Sequence, residues 1–423
     1  MRLFGCLVVL ASLLAGCYPT IHRVKLSAGN EREMHPLLFV RGTETGTVFT
    51  VWTREGNEQF DVSPRLFFRR GSLKSGAFSQ AVSLGTIVGA TEADLAVAGS
   101  NVYVAFADGP NFQSAEAVLQ VSHDGGGIFA RTVVSDNPAA RRPVVAAQAD
   151  TVHVAWQLAT GGVRYRRSLD AGGAFADAIT LAESGALARP GIAAEGQTVV
   201  VAWVEGGAVR FARSDDEGAS FAAAVTVSSA GASVQDGTVR MLLDNGSLHL
   251  LWIEDTDGSP RVMHALVASA GATPAVRRAD EGAGNPSEAW MAIEGSTAHV
   301  VWQTSSAGQT EILYAAVSGS AAFSSPFDLS ASSGTMSVTP RVSAANGKAH
   351  FVWTENNNVV YRRGSVQGGY SPVTTIEPTE SELVGHSARV DGRLAKDYSV
   401  LWVSQRASGT DVWYYSFRPY RVN

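Results

Sequence analysis

Five arginines, Arg142, Arg189, Arg240, Arg341 and Arg389, stand at the starts of short apolar segments spread along the chain. A guanidinium group is planar and carries five donors in a fixed fork, so several of them brought together would grip a carboxylate. The competing expectation is structural. Each arginine would then pair with an acid at the end of the following segment, such as Asp108, Glu205, Glu254 or Glu355. Four histidines, His153, His249, His299 and His350, each precede a tryptophan by three residues, which raises the question of a metal. The choice depends on the elements that hold these residues.

Those elements repeat. A segment ending in an aromatic residue recurs as Val48 to Trp52, Val102 to Phe106, Val152 to Trp156 and Val199 to Trp203. It continues as Leu248 to Trp252, Ala298 to Trp302, Ala349 to Trp353 and Tyr398 to Trp402. Successive aromatics lie 54, 50, 47, 49, 50, 51 and 49 residues apart. A period near fifty with apolar alternation gives four short strands per unit, the size of a propeller blade. In the third unit the strands read Pro143 to Ala147, Val152 to Trp156, Val163 to Arg167 and Ala178 to Leu181. Turn signals separate them at Gln148-Ala149-Asp150, Gly161-Gly162 and just after Ser168. A parallel β-helix would need shorter rungs.

The expected fold is therefore all-β: a single β-propeller of eight four-stranded blades, or seven if the first or last unit forms none. The last unit has only three strands of its own. Ile21 to Ser27 supplies the fourth, so the two ends of the chain pair and no edge is left exposed. First strands then line the central funnel, which carries all five arginines. Equivalent positions in a ring are spread around it, so the four histidines do not converge, and neither a metal nor a cofactor is expected. The repeated aromatic reads as packing between blades, with a sugar-stacking platform as the alternative. Trp290 and Trp413 fall outside the repeat.

Three turns share a pattern: Ser122-His-Asp124-Gly-Gly126-Gly-Ile-Phe129, Ser168-Leu-Asp170-Ala-Gly172-Gly-Ala-Phe175 and Ser214-Asp-Asp216-Glu-Gly218-Ala-Ser-Phe221. Weaker versions lie at Gly71 to Phe78, Ser318 to Phe323 and Ser365 to Tyr370. The pattern resembles the Asp box, or BNR repeat, of sialidases and other propeller proteins. The resemblance implies that Asp124, Asp170 and Asp216 are structural, in turns joining third to fourth strands on the face away from the ligand. It also implies a carboxylate gripped by arginines from different blades, beside a Tyr–Glu nucleophile pair and an Asp acid/base. Tyr370 and Tyr398 are the late-chain tyrosines available for that role. The chain departs from the family where an Arg-Ile-Pro-like motif belongs in the first blade, which reads His35-Pro36-Leu37. Arg-Pro occurs instead at Arg142-Pro143 and Arg189-Pro190. Eight units also exceed the six of the catalytic family. No catalytic residues are assigned.

The chain opens with Met1-Arg2 and an apolar run from Leu3 to Leu14, then Leu14-Ala15-Gly16-Cys17. A short positive end, an apolar segment and small residues describe a secretory signal. Its ending resembles the lipobox of bacterial lipoproteins, which implies a leader over residues 1–16, acylation of Cys17 and a mature propeller over 17–423. Cys6 leaves with the leader, so the mature fold must be stable without disulfides. Tyr18, in place of Asp, points to the outer membrane. The formal charge of −6 argues against nucleic acid, which demands a basic face. With 45% hydrophobic and 17% charged residues, the chain has ample material for a core. The reading is a lipid-anchored surface protein, non-catalytic, binding a glycan, peptide or envelope partner on its funnel face. The alternatives are a sialidase-like exo-glycosidase and a structural accessory factor of an envelope assembly.

Overall fold

A computed structural model of the chain describes residues 20–27, 33–41, 46–55, 63–88, 93–377, 389–391, 398–406 and 409–417. Within 93–377 it leaves out 112, 137, 187–188, 236, 283, 307, 320, 331–333, 335, 346, 357 and 366–367. The expected leader and acylation site, residues 1–16 and Cys17, lie outside the described residues.

Among the described residues the strands form eight antiparallel sheets, seven of them joining strands in chain order from the inside out. Seven of them span 33–86, 94–133, 140–182, 191–226, 233–278, 285–328 and 337–377. The eighth is Arg389–Asp391, Tyr398–Arg406 and Gly409–Phe417, completed by Thr20–Lys25 pairing antiparallel with Gly409–Phe417. The inner strand of the first blade, Glu33–Arg41, packs against the eighth blade, which closes the ring. The described residues form a β-propeller of eight blades, fastened by the pairing of Thr20–Lys25 with Gly409–Phe417. In the third blade the strands are Ala140–Gln148, Thr151–Leu158, Val163–Ser168 and Ile179–Ala182, each close to its sequence bounds.

The core lies between the blades. Trp52, Trp156, Trp203, Trp252, Trp302 and Trp353 are all buried, as is Phe106 in the second blade. The second strands of the first seven blades are buried on both faces because they are sandwiched by neighbouring sheets; the pattern at Thr198–Glu205 is typical. One apolar cluster joins Val200, Ala202 and Phe211 of the fourth blade to Leu248, Leu250 and Trp252 of the fifth.

Arg189, Arg240 and Arg341 do not meet the acids at second-strand ends, the pairing considered from the sequence. Glu205, Glu254 and Glu355 instead accept the indole N–H of the tryptophan two residues earlier, at 3.0, 2.7 and 3.0 Å. Asp108 accepts from Arg131 on an outer strand and from Thr86. A buried indole N–H gains from an acceptor, and in these three blades the carboxylate two residues along the same strand supplies it.

The three Ser-x-Asp turns are alike. Ser122, Ser168 and Ser214 each donate a hydroxyl hydrogen bond to the Asp two residues on, at 2.7, 2.6 and 2.7 Å. Each serine also accepts the N–H of Gly126, Gly172 or Gly218, at 2.8, 2.9 and 2.8 Å. The Asp carboxylate then accepts a backbone N–H four residues on, from Ile128, Ala174 or Ser220. These donors hold the Asp124 carboxyl down to about 2, led by the Ser122 hydroxyl. Asp170 and Asp216 are lowered too, led by the hydroxyls of Ser168 and Ser220 respectively. The aromatic ending each turn reaches the preceding blade: Phe129 packs edge-on to Phe68 at 4.9 Å, and Phe221 to Tyr165 at 4.8 Å.

Candidate binding site in the funnel

Strand register sorts the five arginines into two rows. The residue opposite the one before each second-strand aromatic defines an inner ring of equivalent positions. Around it stand Leu37, Asp94, Val144 and Gly191, opposite Val51, Ala105, Ala155 and Ala202. Arg240, Trp290, Arg341 and Arg389 follow, opposite Leu251, Val301, Val352 and Leu401. Arg142 and Arg189 sit two residues earlier. They are not equivalent to the others, as reading each arginine as the start of a first strand had implied.

Several inner strands carry bulges. In the third blade the register slips between Arg141 and Val144, so Arg142-Pro143 together face Trp156. The same slip places His35-Pro36 in the first blade and Thr339-Pro340 in the seventh. Proline lacks the N–H that the ladder would use, so a bulge is where an inner strand can hold it. Arg142 and Thr339 take left-handed backbone at φ 52° and 57°, and Glu288, in the bulge of the sixth blade, does so at 45°.

Three successive members of the inner ring form one unit. The guanidinium groups of Arg240 and Arg341, from the fifth and seventh blades, stand 4.6 and 4.5 Å from the ring centroid of Trp290 in the sixth. An indole face attracts cations through its quadrupole, which lets two like charges share the site. Each arginine is tied back to its own blade. Arg240 donates to the carbonyls of Gly237 and Val239 at 2.6 and 3.0 Å, and Arg341 to that of Pro340 at 2.7 Å. Neutralisation is sparse: Glu288 approaches Arg341 at 3.8 Å, and Asp94 approaches Arg189 at 3.5 Å. Arg189 also donates to the Ala93 carbonyl at 2.9 Å. The Nε atoms of Arg189, Arg240 and Arg341 and Oε2 of Glu288 are buried without a hydrogen-bond partner.

The electrostatics follow. Burial, then the charge of Arg341, pulls Arg240 down to about 10, with Arg189 adding to the repulsion and Glu288 opposing it. Burial lowers Arg341, again against Glu288. Both remain charged at neutral pH, in a place with more positive than negative charge. Chemically this arrangement suits an anion that supplies acceptors to the unused guanidinium edges.

Of the remaining sequence candidates, Arg142 is half-buried at its bulge. The side chains of Arg389, Tyr398 and Trp413 lie outside the described residues. Tyr370 is packed at the Asp-turn end, stacked on Phe327 at 4.0 Å and edge-on to Tyr314 at 6.0 Å. Burial pushes its hydroxyl up to about 12, away from nucleophilic use. His153, His299 and His350 each hydrogen-bond a tyrosine of the same blade, and His249 bonds His264. Glu288 and Asp94 went unread in the sequence. Their signal was position: each lies on a first strand in the same arc as the arginines.

No known family profile matches the chain, and no curated protein matches it in sequence. Its fold is similar to that of a polysaccharide lyase, with 9% identity, a TM-score of 0.52, and 79% of this chain and 91% of that one covered. It is also similar to the BP39L lectin from Burkholderia pseudomallei, with 14% identity, a TM-score of 0.51, and 78% and 99% covered. At these identities the two likenesses show a shared fold and nothing finer. The NanB sialidase from Streptococcus pneumoniae aligns at a TM-score of only 0.41 with 10% identity, too low to bear on chemistry.

Proposed function

We propose that this protein is an exported propeller, anchored to the outer membrane through acylated Cys17, that binds an acidic glycan on its funnel face without transforming it. The observation that carries the binding reading is the Arg240–Trp290–Arg341 stack with Arg189 beside it. It is a cationic cluster with unused donors and too few acids nearby to balance it. Trp290 holds the two guanidinium groups side by side and leaves their edges for a ligand carboxylate, which two forks can bind in parallel. Proteins of this fold named as a polysaccharide lyase and a lectin lend support to a saccharide ligand. The half-buried Arg142 and the fifth arginine, Arg389, belong to the same face as secondary contacts.

The test is a glycan array probed with the full chain in detergent, alongside Arg240→Ala. Binding confined to carboxylated glycans and lost in the variant is the expected result. Retention of binding in Arg240→Ala would overturn the assignment of the site. Turnover of a fluorogenic sialoside would overturn the non-catalytic reading. Radiolabelled palmitate incorporation, abolished in Cys17→Ser, tests the anchor.

A further inference from the structure

Beside the funnel cluster, the sixth and seventh blades part to form a cleft of about 560 Å³. Its size falls within the range of small-ligand sites. Glu288 forms one wall, and Gln303, Met336, Thr339, Thr354 and Asn356 are among the others. The two bulges flank it, with Glu288 and Thr339 both held in left-handed backbone. Such a conformation is uncommon for a β-branched residue and is kept only where its surroundings enforce it. Here the Gln303 side chain accepts the Thr339 N–H at 3.2 Å, and Thr339 donates to the Thr354 hydroxyl at 3.4 Å.

The geometry points to this cleft as a second subsite, taking an uncharged sugar unit adjacent to the acidic unit held in the funnel. The inference rests on the funnel reading and adds to it the ligand's sequence of units. Three features carry it. The lining offers hydroxyls and amides, the partners of sugar hydroxyls. Met336, 64% exposed, supplies an apolar surface for the C–H face of a sugar ring. The Glu288 side chain is 41% exposed in the cleft wall, and the charge on its partnerless oxygen, though that atom is buried, would repel a second acid. Its other oxygen faces Arg341, so one residue borders both subsites. An acidic polymer in which charged and neutral units alternate fits both.

Three tetrasaccharide probes separate the possibilities on the full chain by calorimetry: alternating glucuronate and N-acetylglucosamine, oligogalacturonate, and chitotetraose. The alternating probe is expected to bind best. Met336→Ala and Met336→Ser are expected to weaken it about three- to tenfold, the scale of one or two contacts to a neutral ligand, and to leave oligogalacturonate unchanged. Arg240→Ala is expected to weaken both acidic probes. Equal binding of the two acidic probes, or cleft variants that affect neither or both alike, would overturn the second subsite while the funnel stands. Preference for chitotetraose, insensitive to Arg240→Ala, would overturn the funnel reading instead. No binding of any probe would overturn both.

Discussion

Nδ1 of His350 lies 2.7 Å from the hydroxyl of Tyr361 on the adjacent strand of the seventh blade. The pairing repeats as His299–Tyr314 at 2.7 Å and His153–Tyr165 at 2.6 Å, and as His249–His264 at 3.1 Å in the fifth blade. Burial drives His153, His249 and His299 to about 4, and His264 and His350 to about 3. Nearby cations add to this: Arg167 at His153, His249 and Arg277 at His264, and Arg363 at His350.

Because these folded values lie below the roughly 6.5 of a free imidazole, the unfolded chain takes up protons that the folded chain refuses. Stability is therefore fully present above about pH 6.5 and is lost as pH falls through 4. Thermal melts from pH 7.5 to 4 should show Tm level down to about pH 6.5 and falling below it, ahead of carboxylate titration. His299→Asn should flatten the slope while leaving a polar group for Tyr314. A Tm that holds level down to pH 4 would contradict the linkage.

Gly218 has φ 79°, and a Cβ there would collide with the Tyr165 hydroxyl of the preceding blade. Gly196 has φ 58° with open space around it. Alanine at Gly196 bears only the left-handed strain, about 1–2 kcal/mol. At Gly218 the clash adds to it, for a total of about 2–4 kcal/mol. Urea midpoints of the two variants measure the difference, and equal losses would mean that the turn does not pack on Tyr165 as described.

Trp252 and Trp302 are equally buried, yet only Trp252 has a partner for its indole N–H. Trp252→Phe leaves the fully buried Glu254 with the Ser229 N–H at 3.2 Å as its remaining donor. Trp302→Phe removes an N–H that had no partner. The first should cost about 2–4 kcal/mol and the second about 1 kcal/mol or less, read by denaturant unfolding. A larger loss at Trp302 would show that ring volume, not the hydrogen bond, governs both sites.

Much of this architecture is legible in the sequence because one buried ring per blade sets the period. Trp156, Trp203 and Trp252 must each fill the same gap between sheets, so the spacing of blades is written in them. The closure by Thr20–Lys25 follows because the last unit has only three strands. The funnel was harder to read. Arg142 and Arg240 look alike in sequence, but a bulge of one residue shifts which side chain faces the axis, and the bulge residue is not a glycine. Thr339 adopts left-handed backbone with no local signal, because it is held by Gln303 of the neighbouring blade and Thr354 of the adjacent strand. The Arg-Pro and Thr-Pro pairs were the available clue. Trp290 stood out as an aromatic off the repeat, but its two partners come from blades some fifty residues away on either side.

The arginine at 341 separates binding from stability. Its side chain is 9% exposed, its Nε has no partner, and its ion pair with Glu288 is long at 3.8 Å. A buried charge so weakly compensated is often replaced by an apolar side chain with little loss, or with gain. Glu288 is 41% exposed and can be rehydrated once the arginine is gone. Arg341→Met also relieves the repulsion that lowers Arg240. The expected result is a stability within about 1 kcal/mol of the parent or above it. Affinity for oligogalacturonate should fall about tenfold or more, the scale of a lost charge-assisted hydrogen bond. Differential scanning calorimetry and titration on the same preparation read both. If stability collapses while affinity is kept, Arg341 is a structural ion and the funnel does not use it.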